Sequence, residues 1–211
     1  SYTCFKDFFI RQVKTDRRPL RMEAEVLVSP CDGKITYYEV NGATLFKIKN
    51  STYSLNSLIK NKSLAYDFCD GVCLVLRLSL DNYHRYCYID NAVKSDNRFI
   101  NGRLHTVNPV VFDKIEVFKE NAREYCVLNT ENFGKVLYME VGALLVGKIT
   151  NYHKESTVKR GQEKGRFEFG GSTIVLFFEK KRIKIDDDIV QNTADGIETV
   201  VKMGEKIGRI I

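Results

Sequence analysis

The stretch that most constrains this chain runs from Arg160 to Glu179: Arg-Gly-Gln-Glu-Lys-Gly-Arg-Phe-Glu-Phe-Gly-Gly-Ser-Thr-Ile-Val-Leu-Phe-Phe-Glu. Phe167, Phe169 and then Thr173 to Phe178 have the β-branched and aromatic content of strands. Gly170-Gly171 interrupts them, and a glycine pair inside a strand pattern ordinarily marks a bulge or a tight hairpin. A second reading is chemical. A glycine before a serine leaves the Gly171 carbonyl unshielded and opens backbone conformations closed to other residues. The Ser172 hydroxyl could attack that carbonyl and convert the peptide bond to an ester. β-Elimination of the ester would leave dehydroalanine, which hydrolyses to ammonia and a pyruvoyl group on the new N-terminus. By spacing alone the turn reading prevails, because Gly-Ser pairs are common in turns.

Length and composition narrow the setting. At 211 residues the chain fits one domain with a substantial core and no need of metal or disulfide help. Gly-rich turns, three prolines and many short Val/Ile/Leu/Tyr/Phe runs favour a mainly β architecture. No regular β-α alternation suggests a doubly wound sheet. The six cysteines (4, 31, 69, 73, 87 and 126) contain no CxxC pair, and no signal-peptide pattern accompanies them, so reduced and mostly buried thiols are expected. Zinc is not expected, because His84 and Cys87 find no second close ligand pair. A net charge of +6 suits an anionic partner. The chain lacks an aromatic-rich RNA motif and a helix-turn-helix signature, which favours an acidic membrane surface over nucleic acid. No apolar run approaches the roughly 20 residues needed to cross a bilayer as a helix.

Along the chain, residues 4–13 place Phe5, Phe8, Phe9 and Val13 on one helical face. Glu25 to Val28 reads as a short strand running into the turn Ser29-Pro-Cys-Asp-Gly33. Ile35–Val40 and Thr44–Ile48 read as a hairpin, and Leu55–Ala65 as helix closed by Asp67–Gly71. Gly71–Leu80 reads as a buried strand that delivers Asp81-Asn-Tyr-His-Arg-Tyr-Cys-Tyr88 at its end. Residues 123–129 pair with 135–141 across a turn at 131–134, and Val141–Ile149 forms another strand. Asp186-Asp187-Asp188 reads as an exposed loop. The tail from Glu198 to Gly208 reads as strand, turn, strand.

Converting Ser172 needs a base for its hydroxyl and then for its α-proton. An imidazole oriented by a carboxylate is the usual device, since unperturbed histidine titrates near about 6.5. The chain offers His84, His105 and His153; His153 reads as a surface residue. Asp32 sits in an Asp-Gly turn, a structural feature more often than a catalytic one.

The segment Glu163-Lys-Gly-x-Phe-x-Phe-Gly-Gly-Ser-Thr-Ile-Val-Leu-Phe-Phe resembles the self-cleavage region of the phosphatidylserine decarboxylases, which are pyruvoyl enzymes. Phe8-Phe9-x-Arg11 with Arg18-Pro19, Ser29-Pro30-x-Asp32-Gly33, Tyr83-His84-Arg85, Thr106-Val107-Asn108-Pro109 and Val141-Gly142-Ala143-x-x-Val146-Gly147 follow in the family's order over nearly the whole length. The resemblance implies a β-rich (α+β) fold with a few peripheral helices. It also implies autocatalytic serinolysis at Gly171-Ser172, giving a β chain of residues 1–171 and an α chain of residues 172–211. Ser172 would attack and become the pyruvoyl group, while Asp32 orients the base. That group would form a Schiff base with phosphatidylserine and act as an electron sink for loss of CO2, yielding phosphatidylethanolamine. His84 would then protonate the carbon.

The match departs at Cys87, where the family usually has a second histidine. His84 serving both steps, His105 as the second imidazole, and Cys87 acting in one step all stay open. Lys94, Arg98, Arg103 and Lys148 are available for lipid phosphate. Family members generally carry further N-terminal sequence that helps hold them to membranes, so a shortened chain is expected, bound peripherally at the cytoplasmic face of the membrane. The oligomeric state is open. Two rival readings are a family member with lost or altered chemistry and a lipoyl- or biotinyl-type carrier module, suggested by Val201-Lys-Met-Gly-Glu-Lys-Ile-Gly208.

Overall fold

Two strands with almost no polar interruption form the middle of the molecule. In the computed structural model, which describes residues 3–42, 44–48, 51–103, 105–106, 117–142, 148–168, 170 and 172–211, Ser172–Phe178 is buried at every position. It lies antiparallel to Val72–Leu78, with Ser172 opposite Leu78 and Val175 opposite Val75. Strands so apolar on both faces are stable only with cover on both sides. Ile174, Leu176, Phe177 and Phe178 are fully buried, and each such side chain contributes about 1.5–3 kcal/mol. Leu176→Ala would cost about 2–5 kcal/mol.

These two strands are neighbours in a nine-stranded sheet whose pairings are all antiparallel. Its order is Ser156–Val158, Ala92–Lys94, Arg123–Thr130, Lys135–Gly142, Ser172–Phe178, Val72–Leu78, Gly33–Glu39 and Thr199–Val201, with Arg98–Ile100 also paired to Arg123–Thr130. A three-stranded sheet joins Lys148–Asn151, Glu163–Glu168 and Arg85–Cys87; another joins Val26–Val28, Lys206–Ile210 and Ile183–Ile185. The few helices are short, and one hydrophobic cluster gathers side chains from the large sheet and from Leu55, Leu58 and Ile59. The fold is mainly β, as composition and the family resemblance both indicated.

Several local expectations hold and others are corrected. The 123–130 and 135–142 strands pair as read, with Leu137 opposite Val127. The helix at 55–65 is broken in two, at Leu55–Ile59 and Lys62–Tyr66, because Lys60 takes a positive φ of 52° and the Asn61 side chain accepts a hydrogen bond from the Leu64 amide. The hairpin partner of Leu45–Ile48 is Ser51–Ser54, not 35–40; Gly33–Glu39 instead enters the large sheet. The aspartate run is not a loop. Asp187 and Asp188 open the helix Asp187–Ala194, where negative charge suits the positive end of the helix dipole. Residues 143–147 of the expected 141–149 strand and residues 107–109 of the Thr106–Pro109 motif lie outside the described residues.

The two halves of the glycine-interrupted stretch do not form a hairpin with each other. Glu163–Glu168 belongs to a three-stranded sheet, whereas Ser172–Phe178 belongs to the large one. The chain therefore passes from one sheet to the other between Glu168 and Ser172, with Gly170 at φ 127°, a conformation that side chains other than glycine's rarely tolerate. The tail is split in the same way. Thr199–Val201 and Lys206–Ile210 lie in different sheets, so Lys202 is not at the tip of a carrier-type hairpin.

Candidate active site

The sheet crossing places Ser172 at the first position of its strand, between Leu78 on one side and Gly142 on the other. Its side chain is fully buried, and Oγ makes no hydrogen bond among the described residues. The next hydroxyl, Thr173 Oγ1, is buried and unpaired as well. Such groups are uncommon, because a buried polar atom without a partner costs about 1–3 kcal/mol. Gly171, the other half of the expected cleavage site, lies outside the described residues.

His84 reaches the same place. The strand Val72–Leu78 ends one turn before it, and the Phe167 amide donates to the His84 carbonyl at 3.0 Å. That bond ties residue 84 to the strand leading into the glycine pair. The imidazole is fully buried. Its Nδ1 lies 3.0 Å from the Asn82 carbonyl, which can only accept, so Nδ1 carries the proton and Nε2 keeps its lone pair. Nε2, like Ser172 Oγ and Thr173 Oγ1, is buried and makes no hydrogen bond among the described residues. Burial, the largest influence, holds the imidazole down at about 4; the Asn82 carbonyl and the nearby Gly170 backbone oppose this, and Arg11 adds to it. At neutral pH the ring is uncharged, the form a general base requires.

Asp32 is placed differently from expectation. Gly33 must be glycine, since a Cβ there would come within 2.7 Å of the Arg77 carbonyl oxygen. The Asp-Gly turn consequently presses against the central strand at the end where Ser172 lies. Yet the carboxylate does not meet an imidazole. Arg18 donates to both its oxygens, at 2.7 and 2.5 Å, and the Met203 amide donates at 3.0 Å. The planar guanidinium matches a carboxylate with two parallel bonds, stronger than a single bond from a neutral ring. Among the described residues no hydrogen bond joins Asp32 to His84. The imidazole's orienting partner is the Asn82 carbonyl instead.

Cys87 is buried, and its thiol is pushed up to about 12 by burial, with Glu163 adding to the effect. It cannot serve as a base near neutrality. It lines, with Arg18, Tyr83, Arg85, Glu163 and Met203, a cavity of about 470 Å³, within the range of about 300–1,000 Å³ usual for ligand pockets. The Cys87 amide donates to the Pro30 carbonyl at 2.9 Å, so the Asp32 turn and Cys87 form adjoining parts of that wall.

His105 is half-buried, and its Nε2 pairs with Glu120 at 3.0 Å. It is one layer removed from Ser172. The buried Asn121 side chain donates to the carbonyls of His105 and of Gly142, at 2.8 and 2.6 Å, and Gly142 is the register partner of Ser172. His153 is half-buried rather than free at the surface, held by the Tyr88 hydroxyl and Gln162. Lys94 is fully buried and donates to the Ser95 and Lys154 carbonyls. It is therefore not available for lipid phosphate; Arg98 and Arg103 are exposed. The Lys148 side chain lies outside what the structure describes.

The comparisons decide the lineage. The family model described as phosphatidylserine decarboxylase matches residues 5–209. The chain belongs to the phosphatidylserine decarboxylase family. It is 50% identical over 207 residues to phosphatidylserine decarboxylase proenzyme 2 of Clostridium acetobutylicum, covering 98% of this chain and 71% of that protein. It is 46% identical over 211 residues to the phosphatidylserine decarboxylase proenzyme of Clostridium botulinum strain Langeland, covering 99% of this chain and 72% of the relative. The Clostridium perfringens proenzyme is 44% identical over 207 residues, covering 97% and 70%.

For this member of the decarboxylase family, sequence reasoning named Ser172, His84 and Asp32 as site residues but not Asn82, which partners the imidazole, or the Arg18 that grips Asp32. Arg18 stood in a motif without a known partner, and Asn82, Arg85 and Asn121 had no assigned task. Two signals were present: a basic residue just before a Pro, and an arginine adjoining the candidate base. Neither spacing reveals a contact made across more than ten residues.

Proposed function

We propose that this chain is the proenzyme of a pyruvoyl-dependent phosphatidylserine decarboxylase, cut by its own chemistry between Gly171 and Ser172 into residues 1–171 and 172–211. The observation that carries this reading is that two buried groups without partners among the described residues, Ser172 Oγ and His84 Nε2, flank a sheet crossing where Gly170 has φ 127° and bears on the imidazole. A buried hydroxyl with no hydrogen-bond partner gives up nothing when it reacts. The relatives are named proenzymes, which supports the same reading.

His84 Nε2 takes the Ser172 hydroxyl proton as Oγ adds to the Gly171 carbonyl, then hands it to the leaving nitrogen as the peptide C–N bond breaks, leaving an ester, a free amine and a neutral imidazole. The same imidazole then removes the Ser172 α-proton. The Cβ–O bond breaks, releasing the Gly171 carboxylate and leaving dehydroalanine. One water enters and one ammonia leaves, and residue 172 ends as pyruvoyl. The position suits that group, since no hydrogen bond to the hydroxyl has to be sacrificed. The pyruvoyl carbonyls supply an electron sink for loss of CO2 from an amino acid headgroup.

The chain's own residues do the rest. Lys14, Arg18 and Arg85 line the adjoining cavity beside Glu163, and these cations offer partners for the anionic headgroup of phosphatidylserine. His84 returns a proton to the substrate carbon. Asp32 fixes Arg18 and the turn at Met203. No helix among the described residues is long and apolar enough to cross a membrane, and the positive net charge supports peripheral binding to an anionic lipid surface.

The test is to incubate the purified chain with phosphatidylserine in mixed micelles and follow CO2 and phosphatidylethanolamine. Release of both by the wild type and of neither by Ser172→Ala is expected. Activity in Ser172→Ala would overturn the reading.

A further inference from the structure

His84 owes its burial to a segment distant in sequence. The helix Phe5–Phe9 is only five residues long, although the apolar pattern extended to Val13. It stops because Arg85 takes its exit. The Arg85 guanidinium donates to the Ile10 carbonyl at 2.8 and 3.1 Å and to the Arg11 carbonyl at 3.1 Å. Its other nitrogen donates to Glu163 at 2.5 Å, at the start of the strand that leads to the glycine pair. Arg85 thus fastens residues 10–11 to two elements of the site. Phe9 is 1% exposed. Its ring lies against the imidazole of His84, with centroids 3.9 Å apart and planes inclined by 33°. Base and clasp are consecutive residues whose side chains engage neighbouring residues, Phe9 and then Ile10 and Arg11, of one short segment.

We propose that residues 5–11 form a strap, buckled by Arg85, and that Phe9 is a positioning residue which keeps the His84 imidazole dry and aimed for its work on Ser172. This rests on the reading of His84 as the base of self-cleavage. Aromatic cover removes water from the ring and so disfavours its charged form. The other groups that bear on the ring are the Asn82 carbonyl and the Gly170 backbone, which favour its protonation, Asp81, which does the same through charge, and Arg11, which opposes it. Arg11 is itself part of the strap, so release of the strap removes both the aromatic cover and the nearest cation. Both changes make His84 more basic.

The test uses the uncleavable Ser172→Ala chain with isotope-labelled histidine, so that the three imidazoles are titrated by NMR without reaction. His105 and His153 serve as internal references. Phe9→Ala is expected to raise the His84 midpoint by at least one pH unit toward about 6.5, and Phe9→Leu, which restores apolar cover, to return most of it. Arg85→Gln, which opens the buckle without altering residue 9, should shift His84 the same way. An unmoved His84 in both Phe9→Ala and Arg85→Gln overturns the strap. In chains that keep Ser172, the acid limb of the self-cleavage rate should move with the NMR midpoint. If the midpoint moves and the cleavage profile does not, the strap stands and His84 is not the base.

Discussion

Two groups of buried polar atoms border the strand Lys135–Gly142 and have opposite characters. Lys164, Glu140 and Asn151 form one. Lys164 Nζ donates to Glu140 at 2.6 Å and to Asn151 at 2.7 Å, Asn151 donates to Glu140 at 3.1 Å, and the ammonium lies over the Tyr138 ring at 4.8 Å. Both charged groups are fully buried, and each finds its partners. The other cluster begins two residues further along the Lys135–Gly142 strand, where Gly142 faces Ser172. There Ser172 Oγ, Thr173 Oγ1 and His84 Nε2 find none. A satisfied buried network fixes one packing, whereas an unsatisfied one keeps its atoms ready to form other bonds. Burial of polar groups alone therefore does not mark a reactive site; Asn97 Oδ1 and Arg166 Nε are buried without partners among the described residues as well, and this region differs in that its unpaired atoms belong to a candidate nucleophile and a candidate base.

The sharpest way to break this contrast is to remove the base. His84→Ala is expected to slow self-cleavage by about 10²–10⁴-fold, the usual contribution of a general base, while leaving a folded chain. The rate is read from band intensities on a denaturing gel over time. His105→Ala, one layer away, should leave cleavage within a few-fold, and the reverse pattern would move the base to His105.

The satisfied cluster should respond in stability instead. Lys164→Met leaves Glu140 buried without its cation and is expected to cost about 3–5 kcal/mol in urea denaturation. The double change Lys164→Met with Glu140→Leu removes both charges and should recover most of that loss. A single variant as stable as the parent would show that the pair is not holding this part of the sheet.

A pH series separates the clusters by a third, smaller effect. In the folded chain His84 titrates at about 4, below its unfolded value of about 6.5. Between those values the unfolded chain binds more protons, so stability rises with pH. His84's contribution is complete above about 6.5 and is lost as the pH falls toward 4, a change of roughly 3 kcal/mol. Urea midpoints of Ser172→Ala measured from pH 7 to pH 4 should show this slope, and adding His84→Leu should flatten it.

Cys87→Ser is the mildest probe. The thiol is a cavity wall without a base's acidity, so cleavage should stay within about three-fold and stability within about 1–2 kcal/mol, the cost of burying a hydroxyl. Loss of cleavage in this variant would place the thiol in the mechanism.

The sequence showed the strands more readily than their partners. Val72–Leu78 and Ser172–Phe178 were legible because both are unbroken runs of β-forming side chains, and the 123–142 hairpin because a short turn fixes its register. The partner of Leu45–Ile48 was misassigned because local alternation does not say which neighbour a strand takes. The aspartate run looked like a loop because its charge was read as solvation rather than as a helix start. At the site, Ser172 and His84 were named from the family resemblance, since spacing alone favoured a turn. The Arg18–Asp32 pair, the Phe9 cover and the Arg85 buckle were not, since each joins residues 14 to 75 positions apart. Such contacts depend on the finished fold.

The central claim is that the unpaired Ser172 hydroxyl cuts its own chain, and intact-mass spectrometry of purified wild-type protein tests it most directly. Two fragments are expected, residues 1–171 and 172–211, the smaller lighter by one ammonia than its encoded sequence because its first residue has become pyruvoyl. Ser172→Ala should remain a single chain of full mass. A wild-type chain that stays intact while decarboxylating phosphatidylserine, or a 172–211 fragment that still begins with an unmodified serine, would contradict the account.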